Sequence, residues 1–185
     1  MKKNGGALAG DLLVLTKPLG IGILSTAQKL GKLAEEHAKL SIDVMTRLNS
    51  VGQLLGKING VHAMTDVTGF GLAGHLIEMC IASGTSAVIQ HAALPLIDAD
   101  LNRYISDGCV PGGTGRNYES YGKDLVLKDP SYKNLVCDPQ TSGGILAAID
   151  PEVYPEVSAL LKAEGLYSEP IGQVITRENA TVIVQ

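Results

Sequence analysis

Short apolar runs rich in β-branched residues alternate along this chain with stretches of helical periodicity, and that alternation restricts the fold more than any other feature. Residues 11–16 (DLLVLT), 62–67 (HAMTDV), 86–90, 145–149, 171–175 and 181–184 each read as a strand. A helix is expected over 23–30. Ala38, Ile42, Met45 and Leu48 then share one helical face, and Val51, Leu54, Leu55 and Ile58 repeat the spacing. A further helix over 69–83 would bury Ala73, Leu76, Ile77 and Cys80, with Thr68 as its cap and His75 and Glu78 on the opposite side. Residues 96–106 and 130–136 read as shorter helices. Asp150-Pro151 opens another, with Val153, Val157, Leu160 and Leu161 as its apolar face. Residues 107–123 read as a long Gly/Pro-rich loop, and the last two strands are joined by a polar turn at Arg177-Glu178-Asn179. The expected fold class is α+β: a layered α/β/α domain whose mixed β-sheet is covered by helices. Residues 1–10 read as a flexible lead and 11–185 as a single domain.

Composition excludes several functions. The 185 residues are 45% apolar with a net charge of −4, too apolar for a disordered chain and without the basic stripe that a nucleic-acid partner requires. No apolar run approaches the roughly 18 residues of a membrane span. The three cysteines, Cys80, Cys109 and Cys137, are scattered singly, which supports neither a disulfide framework nor a zinc site and suits the reducing cytoplasm. His37, His62 and His91 show no metal-ligand spacing.

Three segments carry residues suited to chemistry. In Met64-Thr65-Asp66-Val67-Thr68-Gly69-Phe70-Gly71 an acid ends a strand just before a helix. Asp66 is placed to hold Mg²⁺, a hard cation that takes carboxylate and phosphate oxygens, while Thr68, Gly69 and Gly71 border helix N–H groups suited to phosphate. The plainer alternative makes Asp66 and Thr68 a turn and a cap. In Val110-Pro111-Gly112-Gly113-Thr114-Gly115-Arg116-Asn117 the glycines free backbone amides and Arg116 adds a bidentate donor, so Gly112, Gly113, Arg116 and Asn117 are candidate phosphate ligands. The third, Asp138-Pro139-Gln140-Thr141-Ser142-Gly143-Gly144, reads as a tight turn. Lys17 and His75 are weaker candidates, a phosphate contact and a partner of Glu78; an exposed lysine and a surface pair are the commoner outcomes.

Together with Leu15-Thr16-Lys17-Pro18-Leu19-Gly20-Ile21-Gly22, these segments stand in an order that resembles the selenophosphate synthetase (selenide, water dikinase) family, from about Gly5 onward. Aminoimidazole ribonucleotide synthetase, thiamine-monophosphate kinase and the hydrogenase-maturation carbamoyl dehydratase share the fold of this half but differ at the second motif. The resemblance implies conversion of ATP, selenide and water to selenophosphate, AMP and phosphate with Mg²⁺. It also implies that Asp66 is a Mg²⁺ ligand. The family's catalytic Cys or selenocysteine, nearby lysine and further Mg²⁺ aspartates belong to an N-terminal domain that also builds most of its dimer and ATP site. This chain is therefore expected to be the C-terminal domain, inactive alone, with that N-terminal domain, Mg-ATP and selenide as partners and a homodimer left open. No catalytic residue is expected within it. Two other readings stay open: a stand-alone binding or interaction module, and a sister ATP-dependent enzyme of the same superfamily.

Overall fold

The computed structural model describes residues 3–185. Seven strands, β1 (Leu12–Leu15), β2 (Val61–Asp66), β3 (Thr85–Ile89), β4 (Leu125–Leu127), β5 (Ile145–Ile149), β6 (Pro170–Thr176) and β7 (Val182–Val184), form one sheet in the order β2-β5-β1-β6-β3-β7-β4. Pairing is antiparallel from β2 through to β3, then parallel for β3–β7 and β7–β4. The mixed sheet expected from sequence is present. In its first half, period-two alternation divides the side chains between two cores. Leu13, Leu15, Leu146 and Ala148 enter the larger one, and Val14, Ile145, Ala147 and Ile149 the smaller. Burial on both faces is why these strands read as unbroken apolar runs.

The helices are α1 (Ile21–Lys29), α2 (Leu40–Thr46), α3 (Val51–Leu55), α4 (Gly71–Ser83), α5 (Leu101–Ser106), α6 (Gly112–Tyr121), α7 (Lys133–Val136) and α8 (Tyr154–Ala163). Ile23 and Leu24 of α1, Leu72, Leu76 and Met79 of α4, and Leu101 and Tyr104 of α5 fill the larger core. Val51 and Leu55 of α3 with Val157 and Leu161 of α8 fill the smaller. Helices thus cover both faces, and the layers are α/β/α.

Several sequence expectations need correction. The Gly/Pro-rich stretch 107–123 holds a ten-residue helix, α6. Three glycines among its first four residues, each costing about 1 kcal/mol of helix propensity, hid it; buried Thr114 and Asn117 hold it in place. The apolar face drawn through Ala38, Ile42, Met45 and Leu48 does not form. The chain leaves α2 at Arg47, nothing in α2 is buried, and Ile42 and Leu48 are exposed. The helix expected over 96–106 shrinks to α5 because Leu96 bridges to Leu19. Strand β4 was not anticipated, being three residues at a sheet edge. The last two strands are not neighbours, since β3 lies between them. Asp150 accepts from Glu152 N in a turn, and α8 begins only at Tyr154. Residues 3–10, read as part of a flexible lead, lie against the fold: Ala7 is buried in the larger core, Gly6 N and Ala7 N donate to Ser83 Oγ, and Met64 N donates to Lys3 O. Met1 and Lys2 fall outside the described residues.

Candidate functional site

Asp66 ends β2, an edge strand paired only with β5, where it sits opposite Ile145. Its exposed carboxylate has no hydrogen bond or ion pair among the described residues and borders a cavity of about 350 Å³ lined by Asn4, Asn49, Met64, Thr65 and Ile145. Asn49 Nδ2 donates to Gly143 O at 2.9 Å, which fixes that amide and leaves its Oδ1 available. The cavity therefore offers one carboxylate with amide and hydroxyl oxygens and no second acid. That donor set fits a Mg²⁺ ion completed by phosphate oxygens and water. Sequence reasoning missed Asn4 and Asn49, because only the pairing of distant segments brings them to Asp66.

Beyond Asp66 the chain turns sharply, and neighbouring segments hold every step of the turn. Val67 N donates to Gly144 O, and Gln140 N and Gly71 N donate to Thr68 O. Asn117 Nδ2 donates to Gly69 O at 2.8 Å and to Cys137 O at 3.0 Å, while Tyr121 Oη donates to Phe70 O at 2.6 Å. Gly71 has φ +69°, and a Cβ there would lie 2.8 Å from the Cys137 carbonyl carbon, so glycine is required twice over.

Thr68 does not cap α4, whose N-cap position is Phe70 with no side-chain cap; its hydroxyl lies 3.0 Å from His75 Nε2 instead. His75, expected on the polar face, is 8% exposed, with its ring 5.9 Å from that of Phe70. Its Nδ1 lies 3.2 Å from Glu78 Oε2, close enough for an ion pair but not aligned as a hydrogen bond.

The loop from Asp138 to Gly144 caps α1 from a distance. Gly22 N and Gln140 Nε2 both donate to Asp138 Oδ2, and Ile21 N donates to Gln140 Oε1. Asp138 is fully buried with Oδ1 unpartnered, and burial pushes its carboxyl up to about 7 against the pull of those hydrogen bonds. Lys17 is not an exposed lysine: it is 2% exposed, and Nζ donates to Arg47 O at 2.6 Å and Ser142 O at 2.8 Å. Burial first, and then the Arg47 charge, lower its pKa. Cys80, Cys109 and Cys137 are all buried, and burial raises the Cys80 thiol to about 11.

The candidates thus fall into separate groups. Thr68, Gly69, Gly71 and Asn117 meet at the turn, with Asn117 acting as its latch. Gly112 and Gly113 open α6, Arg116 folds back beside them, and the cavity at that helix end shares no lining residue with the Asp66 cavity. Among the described residues, the one group of three metal-ligating side chains within mutual reach is His37, Asp98 and Asp100, again distinct from Asp66.

Residues 9–185 match the family described as AIR synthase related protein, C-terminal domain. The chain is 55% identical over 174 residues to the selenide, water dikinase of Aeromonas salmonicida (strain A449), covering 94% of this chain and 50% of that protein. To the selenide, water dikinase of Photorhabdus laumondii it is 45% identical over 185 residues, covering 100% and 53%. It spans about half the length of the curated relatives it matches. Among solved structures, thiamine-monophosphate kinase from Stenotrophomonas maltophilia K279a superposes with a TM-score of 0.68 at 15% identity, covering all of this chain and 52% of that one. The hydrogenase maturation protein HypE in complex with ATP superposes at 0.63 and 19% identity, covering 99% and 49%. These structural likenesses establish the fold.

Proposed function

Because the chain belongs to the AIR synthase related protein C-terminal domain family, we propose that it is the C-terminal domain of a selenide, water dikinase. In this reading Asp66 supplies one Mg²⁺ ligand to an ATP site completed by an N-terminal domain. The observation that carries it is the unpaired Asp66 carboxylate at a cavity of oxygen donors, beside a turn locked by Asn117, Tyr121 and Gln140. Mg²⁺ sites on nucleotides commonly combine one or two protein carboxylates with substrate phosphates, so a single acid suits a shared site. When bound, the ion would neutralise phosphate charge during transfer. The residues of this chain would hold it: Asp66 and Asn49 line the cavity, while Thr68 and Gly69 set the path of the backbone beyond.

The whole enzyme would convert ATP, selenide and water to selenophosphate, AMP and phosphate in the cytoplasm, and this chain alone would not turn over. Among the described residues no helix is long and apolar enough to cross a membrane. In the full-length enzyme Asp66→Ala should collapse selenide-dependent ATP consumption, read as AMP formation, while circular dichroism stays unchanged. Undiminished turnover would remove Asp66 from the metal site.

A further inference from the structure

Helix α6 begins without the protection that helix ends normally receive. Pro111 in the N-cap position offers no side-chain acceptor, and the first turn contains no acid. The amides of Gly112 and Gly113 therefore open onto the positive end of the helix with nothing among the described residues to answer them.

Three further features gather at the same end. Thr114 is 2% exposed and lines a cavity of about 370 Å³, yet its hydroxyl has no hydrogen-bond partner among the described residues. A buried hydroxyl left unpaired is costly unless something else supplies the partner. Arg116 is exposed, forms no hydrogen bond or ion pair among the described residues, and reaches back toward the start of the helix. Its Nη1 lies 3.4 Å from where a Gly112 Cβ would stand, and its Nη2 3.8 Å from that of Gly113. Lys133 lines the cavity from α7 with its ammonium 5.6 Å over the Tyr118 ring and no carboxylate partner among the described residues. Glu119 is the one acid on the lining, against these two unpaired cations.

We propose that the N-terminus of α6, with the amides of Gly112 and Gly113, the Thr114 hydroxyl, Arg116 and Lys133, is a metal-independent site for a phosphate dianion, either the free ion or the phosphate of a monoester. Amides and two cations recognise oxyanions directly, Arg116 through a planar pair of donors. The Asp66 cavity, by contrast, presents an anion and takes phosphate only through a cation. This assignment rests on the phosphate chemistry proposed above, and its test separates the two sites.

The test is a titration of the ¹⁵N-labelled 185-residue chain with inorganic phosphate in excess chelator, followed by amide NMR, with chloride at matched ionic strength as control. Saturable shifts of the Gly112 and Gly113 amides with phosphate alone are expected. Arg116→Gln and Lys133→Gln should each weaken binding roughly tenfold, the loss of about one charge-assisted hydrogen bond. Asp66→Asn should leave it unchanged. A parallel titration with adenosine monophosphate identifies the source: tighter binding than phosphate names a monoester, weaker binding the free ion, and either supports the site. Equal shifts in chloride, no saturable shift, binding that survives both substitutions, or shifts that need Mg²⁺ or Asp66 would each overturn it. Undiminished turnover of full-length Asp66→Ala would instead sink the metal-site reading and leave this one standing.

Discussion

Asp138 should give this domain a stability that falls as pH rises, and replacing it with asparagine should remove that dependence. The carboxyl is fully buried, with Oδ2 accepting from Gly22 N at 3.1 Å and from Gln140 Nε2 at 2.7 Å and Oδ1 unpartnered. Burial raises its pKa from 3.8 to about 7. The folded-state pKa lies above the unfolded one, so folding favours the protonated form. The contribution is fully present below pH 3.8 and is lost as pH rises through about 7. About three pKa units correspond to about 4 kcal/mol, of which roughly 3 kcal/mol falls between about pH 4.5 and about pH 8. Asparagine has the same shape, and its amide oxygen keeps both donors while no charge is buried. Urea unfolding of both proteins at these two pH values measures the effect. The stability of Asp138→Asn relative to the parent should increase by about 3 kcal/mol on going to the higher pH. A difference that does not move with pH would refute the argument, because it would mean that Asp138 titrates alike in the folded and unfolded chain.

Three other outcomes follow from the site's scaffolding. Gly71→Ala forces a side chain into a left-handed backbone position and against the backbone at Cys137; a loss of at least about 2 kcal/mol is expected in thermal unfolding, and an unchanged Tm would contradict the geometry. Asn117→Ala removes the hydrogen bonds to Gly69 O and Cys137 O, at a cost of about 2 kcal/mol, and hydrogen exchange at residues 69–71 should quicken; unaltered protection there would show that the Asn117 latch is idle. Lys17→Met leaves the carbonyls of Arg47 and Ser142 unpaired, and partial relief from burying an ammonium leaves a net cost of about 2 kcal/mol. Urea titration reads it, and equal stability would mean the two hydrogen bonds do not outweigh desolvation.

Elements with strong local signals were legible without the fold. The strands 12–15 and 145–149 carry unbroken apolar runs because both of their faces are buried, and Ala73, Leu76, Ile77 and Cys80 of α4 are buried as their spacing implies. Elements whose stability comes from elsewhere were not. Helix α6 is poor in helix formers and persists because Asn117 and Tyr121 bind the turn at Gly69–Phe70. The apolar spacing through Ile42 and Leu48 promised a helix face, but nothing packs there, and residues that share a helical stripe are buried only when another element meets them. Thr68 looked like a cap because threonine before a helix often is one. Its hydroxyl instead meets His75, seven residues along the chain, and His75 is drawn into the interior beside Phe70.

The sequence by itself determined the α/β/α class, the presence of a mixed sheet, and the identity of Asp66 as the acid at a strand end. Each rests on neighbours within a few residues, where periodicity and residue type act directly. Tertiary structure alone decided which groups share a cavity. Asn49 reaches the Asp66 cavity because Gly143 holds its amide, Lys17 is buried between Arg47 and Ser142, and His37 meets Asp98 and Asp100 across some sixty residues. Pairing β5 with both β1 and β2 brings the first two of these groups together, whereas the Leu19–Leu96 bridge and the His37–Tyr104 hydrogen bond gather the third. Sheet order is set by summed burial over the whole domain, so no local window of sequence contains it.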